Sequence, residues 1–241
     1  MPNNFFRFKQ FIIHQQHCAM KVCTDACLFG AWVANIITAK KLQSNTVLDI
    51  GAGTGLLSLM LAQRNKQIHI DAIELDEQAA MQAKENAESC PWAERINVFH
   101  ADVKAYQTKQ RYDLIICNPP FFQNSLLGDS DQRNRARHTI SFNYSDLLDC
   151  CEKNLSADGC ASVLLPDSEY AYWQKLIEGK GWHSIETLLI KPRADVAINR
   201  VVSVISRVQQ MTKEHTLIIY EQPGVYTEAF EKLLGPFYLK L

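Results

Sequence analysis

The run Asn118-Pro119-Pro120-Phe121 sets a carboxamide, two rigid residues and an aromatic ring at the end of an apolar stretch, Leu114-Ile115-Ile116-Cys117. The Asn118 side-chain carbonyl accepts hydrogen bonds, and so does the backbone carbonyl of Pro119. Two acceptors side by side are suited to gripping both hydrogens of an exocyclic amino group whose lone pair is delocalised into a ring. Drawn toward tetrahedral geometry, that nitrogen becomes a nucleophile with no general base required. The prolines stiffen the corner, because neither donates an N–H and each restricts the residue before it to extended conformations. Phe121 offers a face for the base that carries the amine, and such stacking is worth about 1 to 3 kcal/mol.

An electrophile has to be presented by a second stretch, Thr46 to Leu59, reading TVLDIGAGTGLLSL. Its apolar strand runs into a turn containing Gly51, Gly53 and Gly55, and a helix opens at Leu56. Glycines there let the backbone turn sharply and approach a ligand closely. The dinucleotide pattern would need glycine where Leu56 stands, and a phosphate loop would need Lys and Ser or Thr after Gly55, where two leucines follow. The next strand ends in Glu74, placed to accept from both hydroxyls of a ribose, and Asp102 after the third strand is placed to accept from an adenine amino group. Asp49 either steadies the turn or meets the amino-acid end of the ligand. An adenosine held by acids, with nothing arranged for phosphates, points to S-adenosylmethionine (SAM) rather than NAD or ATP.

DIGAGTG at 49–55, the acid-ended second strand, the Asp102 position and NPPF are similar to the motifs of class I SAM-dependent methyltransferases. Their order, and the upstream KVCTDACLFGAW at 21–32, resemble the amino-methylating branch, and this likeness adds Thr24 and Asp25 to the cofactor-binding set. Over most of its length, RARHT at Arg135 to Thr139 included, the chain resembles the bacterial tRNA(Val) adenine-N6 methyltransferase family. The resemblance implies methylation of the exocyclic amine of the adenosine beside the anticodon. Guanine-N2 methylation of ribosomal RNA shares the corner chemistry. So does glutamine methylation in proteins, although the release-factor enzymes carry Asn-Pro-Pro-Tyr and a sizeable domain ahead of the catalytic one. An inactive methyltransferase-like RNA-binding module is the reading outside enzymology, and the presence of every glycine, acid and Asn-Pro-Pro element argues against it.

These residues need a scaffold, and the hydrophobic pattern describes one. Short apolar strands at 47–51, 68–74, 95–100 and 112–117 alternate with amphipathic helices at 55–64 and 76–89. Helix 144–155, strand 160–165, helix 168–179 and strand 184–190 follow, and Val201 to Val208 with His215 to Glu221 read as a final antiparallel pair. Thr24 or Asp25 caps an earlier helix. The pattern predicts a Rossmann-like α/β fold: an open, mostly parallel sheet with an antiparallel C-terminal pair and helices on both faces, binding ligands at the carboxyl ends of its strands. A single methyltransferase domain is expected over 1–241, with 1–23 as an arm and 24–241 as catalytic core.

With 241 residues, 47% hydrophobic and 21% charged, the chain is long enough for one large domain, and its net charge of -1 gives no basic field to draw in nucleic acid. DNA is therefore not expected, and contact with tRNA must rest on local patches. Arg133, Arg135, Arg137 and His138, in the polar loop 123–141 after the corner, are the first candidates, with Lys191, Arg193 and Arg200 near a second loop. A base already unpaired in an RNA loop suits so weak a field, since extracting a paired base costs a few kcal/mol. The eight cysteines lack paired spacing and read as free thiols in a reducing cytoplasm, with no metal. The N-terminus does not read as a signal peptide, no membrane span is expected, and oligomeric state leaves no mark. Replacing Arg135 and Arg137 together with Ala is expected to weaken RNA binding and lower its salt dependence while SAM binding stays unchanged, as filter binding across a salt series would measure.

Overall fold

A computed structural model of the chain describes residues 3–39, 45–119 and 142–241. The arm folds as a small antiparallel hairpin, β1 (Phe5–Arg7) with β2 (Ile12–His14), and α1 (Thr24–Ala39) follows it. Then come β3 (Thr46–Ile50), α2 (Leu56–Arg64), β4 (His69–Glu74), α3 (Glu77–Glu88), β5 (Ile96–His100) and β6 (Tyr112–Cys117). To this point every expected boundary from residue 47 onward falls within one residue. Beyond residue 142 lie α4 (Tyr144–Asn154), β7 (Leu155–Pro166), α5 (Asp167–Gly179), β8 (His183–Lys191), β9 (Arg200–Ser206) and β10 (Lys213–Ile218). A second hairpin, β11 (Tyr220–Gln222) with β12 (Val225–Tyr226), leads into α6 (Glu228–Leu234).

Eight strands form one sheet in the order β10-β8-β9-β7-β6-β3-β4-β5. All neighbours are parallel except β9, which runs antiparallel to both β7 and β8. The antiparallel C-terminal pairing is thus present as β8 with β9. The two last strands do not pair with each other as expected: β10 lies beyond β8 and parallel to it, with Lys213 opposite Glu186 and Ile218 opposite Lys191. Apolar content shows that a strand is buried and does not name its partner, so the β9–β10 pairing could not be settled from pattern.

Both faces of the sheet are covered, which is why its strands are apolar at successive positions. Leu114 and Ile116 join a core with Phe29, Leu57 and Met60 under α1 and α2, while Ile115 and Cys117 join one with Leu147, Leu148 and Trp173 under α4 and α5. The arm belongs to the first core. Phe8 stacks on Phe11 at 4.5 Å between ring centroids, and Phe11 meets Trp92 edge-on at 6.0 Å. Phe8 also bridges to Tyr238, and the Lys9 N–H donates to Phe237 O at 2.8 Å.

One buried side chain fastens the arm to the sheet's working end. Asn86 on α3, 1% exposed, accepts from the His14 N–H at 2.9 Å and donates to His14 O at 2.8 Å and to Thr54 O at 2.9 Å. It therefore ties β2 to the glycine turn. Asn86→Ala is expected to leave these groups unpaired and to cost about 2 to 4 kcal/mol, read by urea unfolding, with faster amide exchange at His14.

Candidate active site

β3 is the strand at which the sheet reverses direction. The chain moves from β3 to β4 and β5 on one side, then returns to place β6 on the other. At such a switch point the loops leave in opposite directions and open a crevice above the strand ends. Ile50 of β3 lies directly opposite Cys117 of β6. The glycine turn and Asn118 therefore leave adjacent strand ends, whose backbones are about 4.8 Å apart. Sequence spacing separates these two stretches, and the parallel register brings them together.

The turn depends on β4. Gly51, Gly53 and Gly55 have φ of 72°, 55° and 79°, a left-handed run that side chains disfavour. Ile73 O accepts from the N–H groups of Gly51 (2.9 Å) and Ala52 (3.1 Å), and Glu74 Oε2 accepts from the Gly53 N–H at 2.8 Å. Glu74 Oε1 accepts from the Asp76 N–H at 3.0 Å. The acid expected at a ribose thus also braces the turn, and each oxygen keeps a further lone pair. A Cβ built on Gly51 or Gly53 would meet nothing within 4 Å, so open space lies beside both. On Gly55 it would touch Leu59 at 3.4 Å and Ala83 at 3.5 Å, where α2 packs on α3.

Asp49 lies fully buried beneath the turn. Its Oδ2 accepts from the Ser58 hydroxyl at 2.6 Å, joining β3 to α2 across the glycines, and Oδ1 has no partner among the described residues. Burial pushes this carboxyl up to about 6, with the Ser58 hydrogen bonds offsetting part of the effect. Asn118 repeats the pattern at the next strand end: Oδ1 is shielded from solvent and without a partner among the described residues, and Pro119 beside it is buried. A buried acceptor left unpaired costs stability, and two such oxygens among the described residues lie at adjoining strand ends on this edge.

The remaining expected residues divide. Asp102 stands exposed at the same edge, just past β5, with its carboxylate accepting from the Lys104 N–H at 2.9 Å. Thr24 is the exposed first residue of α1. Asp25 is engaged by Arg200, with Oδ2 3.0 Å from Nε and both side chains mostly buried. This ion pair ties α1 to the start of β9, a link between residues too distant in sequence for pattern to suggest. Lys191 donates to Ala194 O at 2.7 Å and Arg193 pairs with Asp195 at 3.1 Å, so both are engaged within their own loop. Pro120, Phe121, Arg133, Arg135, Arg137, His138 and the loop 123–141 lie outside the described residues. Sequence reasoning passed over Ser58, Asn86 and Leu75. Leu75, 52% exposed and next to Glu74, presents an apolar face beside the acid that ends β4, and its position straight after that acid was the available signal.

This fold and crevice are those of the class I methyltransferases that use SAM. A structure described as a predicted O-methyltransferase from Agrobacterium tumefaciens superposes with a TM-score of 0.66 at 19% identity, covering 88% of this chain and 96% of that one. Residues 31–133 match the methyltransferase small domain family. Closer likeness is found at full length. A protein of Dyadobacter fermentans named tRNA1(Val) (adenine(37)-N6)-methyltransferase is 42% identical over 245 residues, covering 100% of both chains. One of the same name from Aliivibrio fischeri is 42% identical over 236 residues, covering 98% of each. The chain belongs to the tRNA1(Val) (adenine(37)-N6)-methyltransferase family.

The buried carboxyl at the base of the site has a measurable signature. Because the folded Asp49 holds its proton to higher pH than an unfolded Asp does, it contributes stability that is complete below about pH 4 and lost as pH rises through about 6. Between pH 4 and 7 the wild type is expected to lose about 1 to 3 kcal/mol more stability than Asp49→Asn, as paired urea titrations would show.

Proposed function

We propose that this protein methylates the exocyclic N6 of an adenosine in tRNA, the one beside the anticodon of tRNA(Val), using SAM. The observation that carries the reading is the buried carbonyl of Asn118, without a partner among the described residues, at the strand end adjoining the glycine turn. The target nucleotide follows from the full-length likeness to enzymes named for it. The residues present fit SAM: open space beside Gly51 and Gly53, acids rather than phosphate-binding groups at the strand ends, and the orphan Oδ1 of Asp49. When bound, SAM supplies a methyl group on a sulfonium, an electrophile needing no further activation.

In this reading each residue has a limited part. Glu74 accepts from the ribose hydroxyls through its free lone pairs, Leu75 packs on the adenine, and Asp102 accepts from the adenine amine. Thr24 and Asp25 border the cofactor at the start of α1. Asp49 holds the turn through Ser58 and presents a negative charge to the amino-acid end. Asn118 Oδ1 and the Pro119 carbonyl accept the two hydrogens of the target amine, so its lone pair faces the methyl carbon. With SAM bound, the nitrogen so held would take the methyl group, the sulfur would depart as a neutral thioether, and the surplus N–H proton would pass to water. Pro120 keeps the corner rigid, Phe121 stacks on the base, and Arg133, Arg135, Arg137 and His138 meet the tRNA backbone.

No helix among the described residues is long and apolar enough to cross a membrane. A tRNA substrate places the work in the cytoplasm. With labelled SAM and tRNA lacking this modification, label is expected as N6-methyladenosine in the anticodon-loop fragment. Asn118→Ala is expected to lower that transfer by about 100-fold or more with SAM affinity unchanged. Label in ribosomal RNA or protein instead would keep the corner chemistry and overturn the substrate.

A further inference from the structure

The reaction corner has a neighbour from the arm. Met20 is 47% exposed, and its Sδ lies 3.9 Å from Asn118 Nδ2, 98 positions away in sequence. The loop carrying it is closed on itself by Gln15, 4% exposed, whose Oε1 accepts from the Val22 N–H at 2.9 Å while Nε2 donates to Asn3 O at 3.0 Å. Just upstream, Asn86 fixes His14 to the glycine turn. Midway, Cys18 is buried, and after burial itself the carboxylates of Glu74 and Asp76 push its thiol up to about 11. Residues 15–22 thus run from the glycine turn, past the acid end of β4, to the reaction corner.

A carboxamide has two orientations a half turn apart, and only one of them offers its carbonyl to a substrate amine. A thioether sulfur is a weak acceptor and never a donor. Facing the NH2 group it receives a hydrogen; facing the carbonyl it would set acceptor against acceptor. We propose that Met20 is a positioning residue for the methyl transfer: its sulfur takes the Asn118 amide hydrogen and thereby fixes Oδ1 as the acceptor for the target amine. Oδ1, buried and without a partner among the described residues, is the half of the amide left for that purpose. Met20 exchanges no proton and no electron. The inference rests on the methyl-transfer reading of Asn118, deepens it, and gives the arm a role in the reaction.

Single-turnover and steady-state kinetics on unmodified tRNA test it. Met20→Leu keeps the volume and removes the acceptor, and the expected result is a loss of about fivefold in kcat, with tRNA KM and SAM Kd within about twofold of wild type. Met20→Lys places a donor against the amide, favours the wrong orientation, and is expected to lower kcat by about 50-fold. Asn118→Asp makes the corner group symmetric, so in that background Met20→Leu is expected to change the single-turnover rate by less than about twofold. Wild-type kcat in Met20→Leu, a loss confined to KM or SAM affinity, or the same loss in the Asn118→Asp background would overturn the inference. Wild-type protein that transfers no methyl to tRNA would instead overturn the underlying reading, and this one with it.

Discussion

The parallel register of β3 between β4 and β6 is the constraint on which the rest depends. With Ile50 opposite both Ile73 and Cys117, three strand ends finish level, and each contributes one part of the site: the glycine turn, Glu74 and Asn118. Because side chains alternate along a strand, a slip of one residue would turn Asp49 and its neighbours to the wrong face and strand their partners. Burial of both faces prevents it, since the two cores interdigitate with alternate residues of the same strands. The precision of the site is therefore a by-product of packing far larger than the site itself.

The turn shows how little of this is local. Its left-handed glycines make the bend possible, but its N–H groups are satisfied by Ile73 and Glu74 of the adjoining strand and by Ala52 within the turn. Below it, Asp49 and Ser58 join strand to helix with a charge that burial disfavours. The same carboxylates that suit a cationic, adenosine-bearing ligand hold the turn in shape without one. The turn's shape thus depends on carboxylates drawn from two strands rather than on its glycines alone.

What could be read from the chain follows the range of the interactions. Gly51, Gly53, Gly55, Glu74 and the strands to Cys117 were legible because periodicity, turn residues and short spacings express them directly. The partner of β10, the Asp25–Arg200 pair and the approach of Met20 to Asn118 were not, because each depends on how distant segments cross. Asp25 illustrates the difference. Expected with Thr24 as a candidate helix cap, it lies instead inside the first turn of α1, where Cys23 O accepts from the Cys27 N–H, and its ionic partner enters from the start of β9. Asn86 is similar: helical spacing puts it on the face of Ala79 and Ala83, but its partners His14 and Thr54 come from segments 72 and 32 positions away.

The arm has one further consequence, for the order in which the protein is made. Phe8 bridges to Tyr238, Lys9 donates to Gly235 O and Phe237 O, and the Phe6 and Phe8 rings pack on Tyr238. Residues of the arm are therefore docked on residues made 226 positions later, while synthesis proceeds at about 5 to 20 residues per second. Through all that time the aromatic arm lacks part of its seat. The arm takes its final position only after every strand of the sheet has been made, so its docking is set by connectivity between distant parts of the chain.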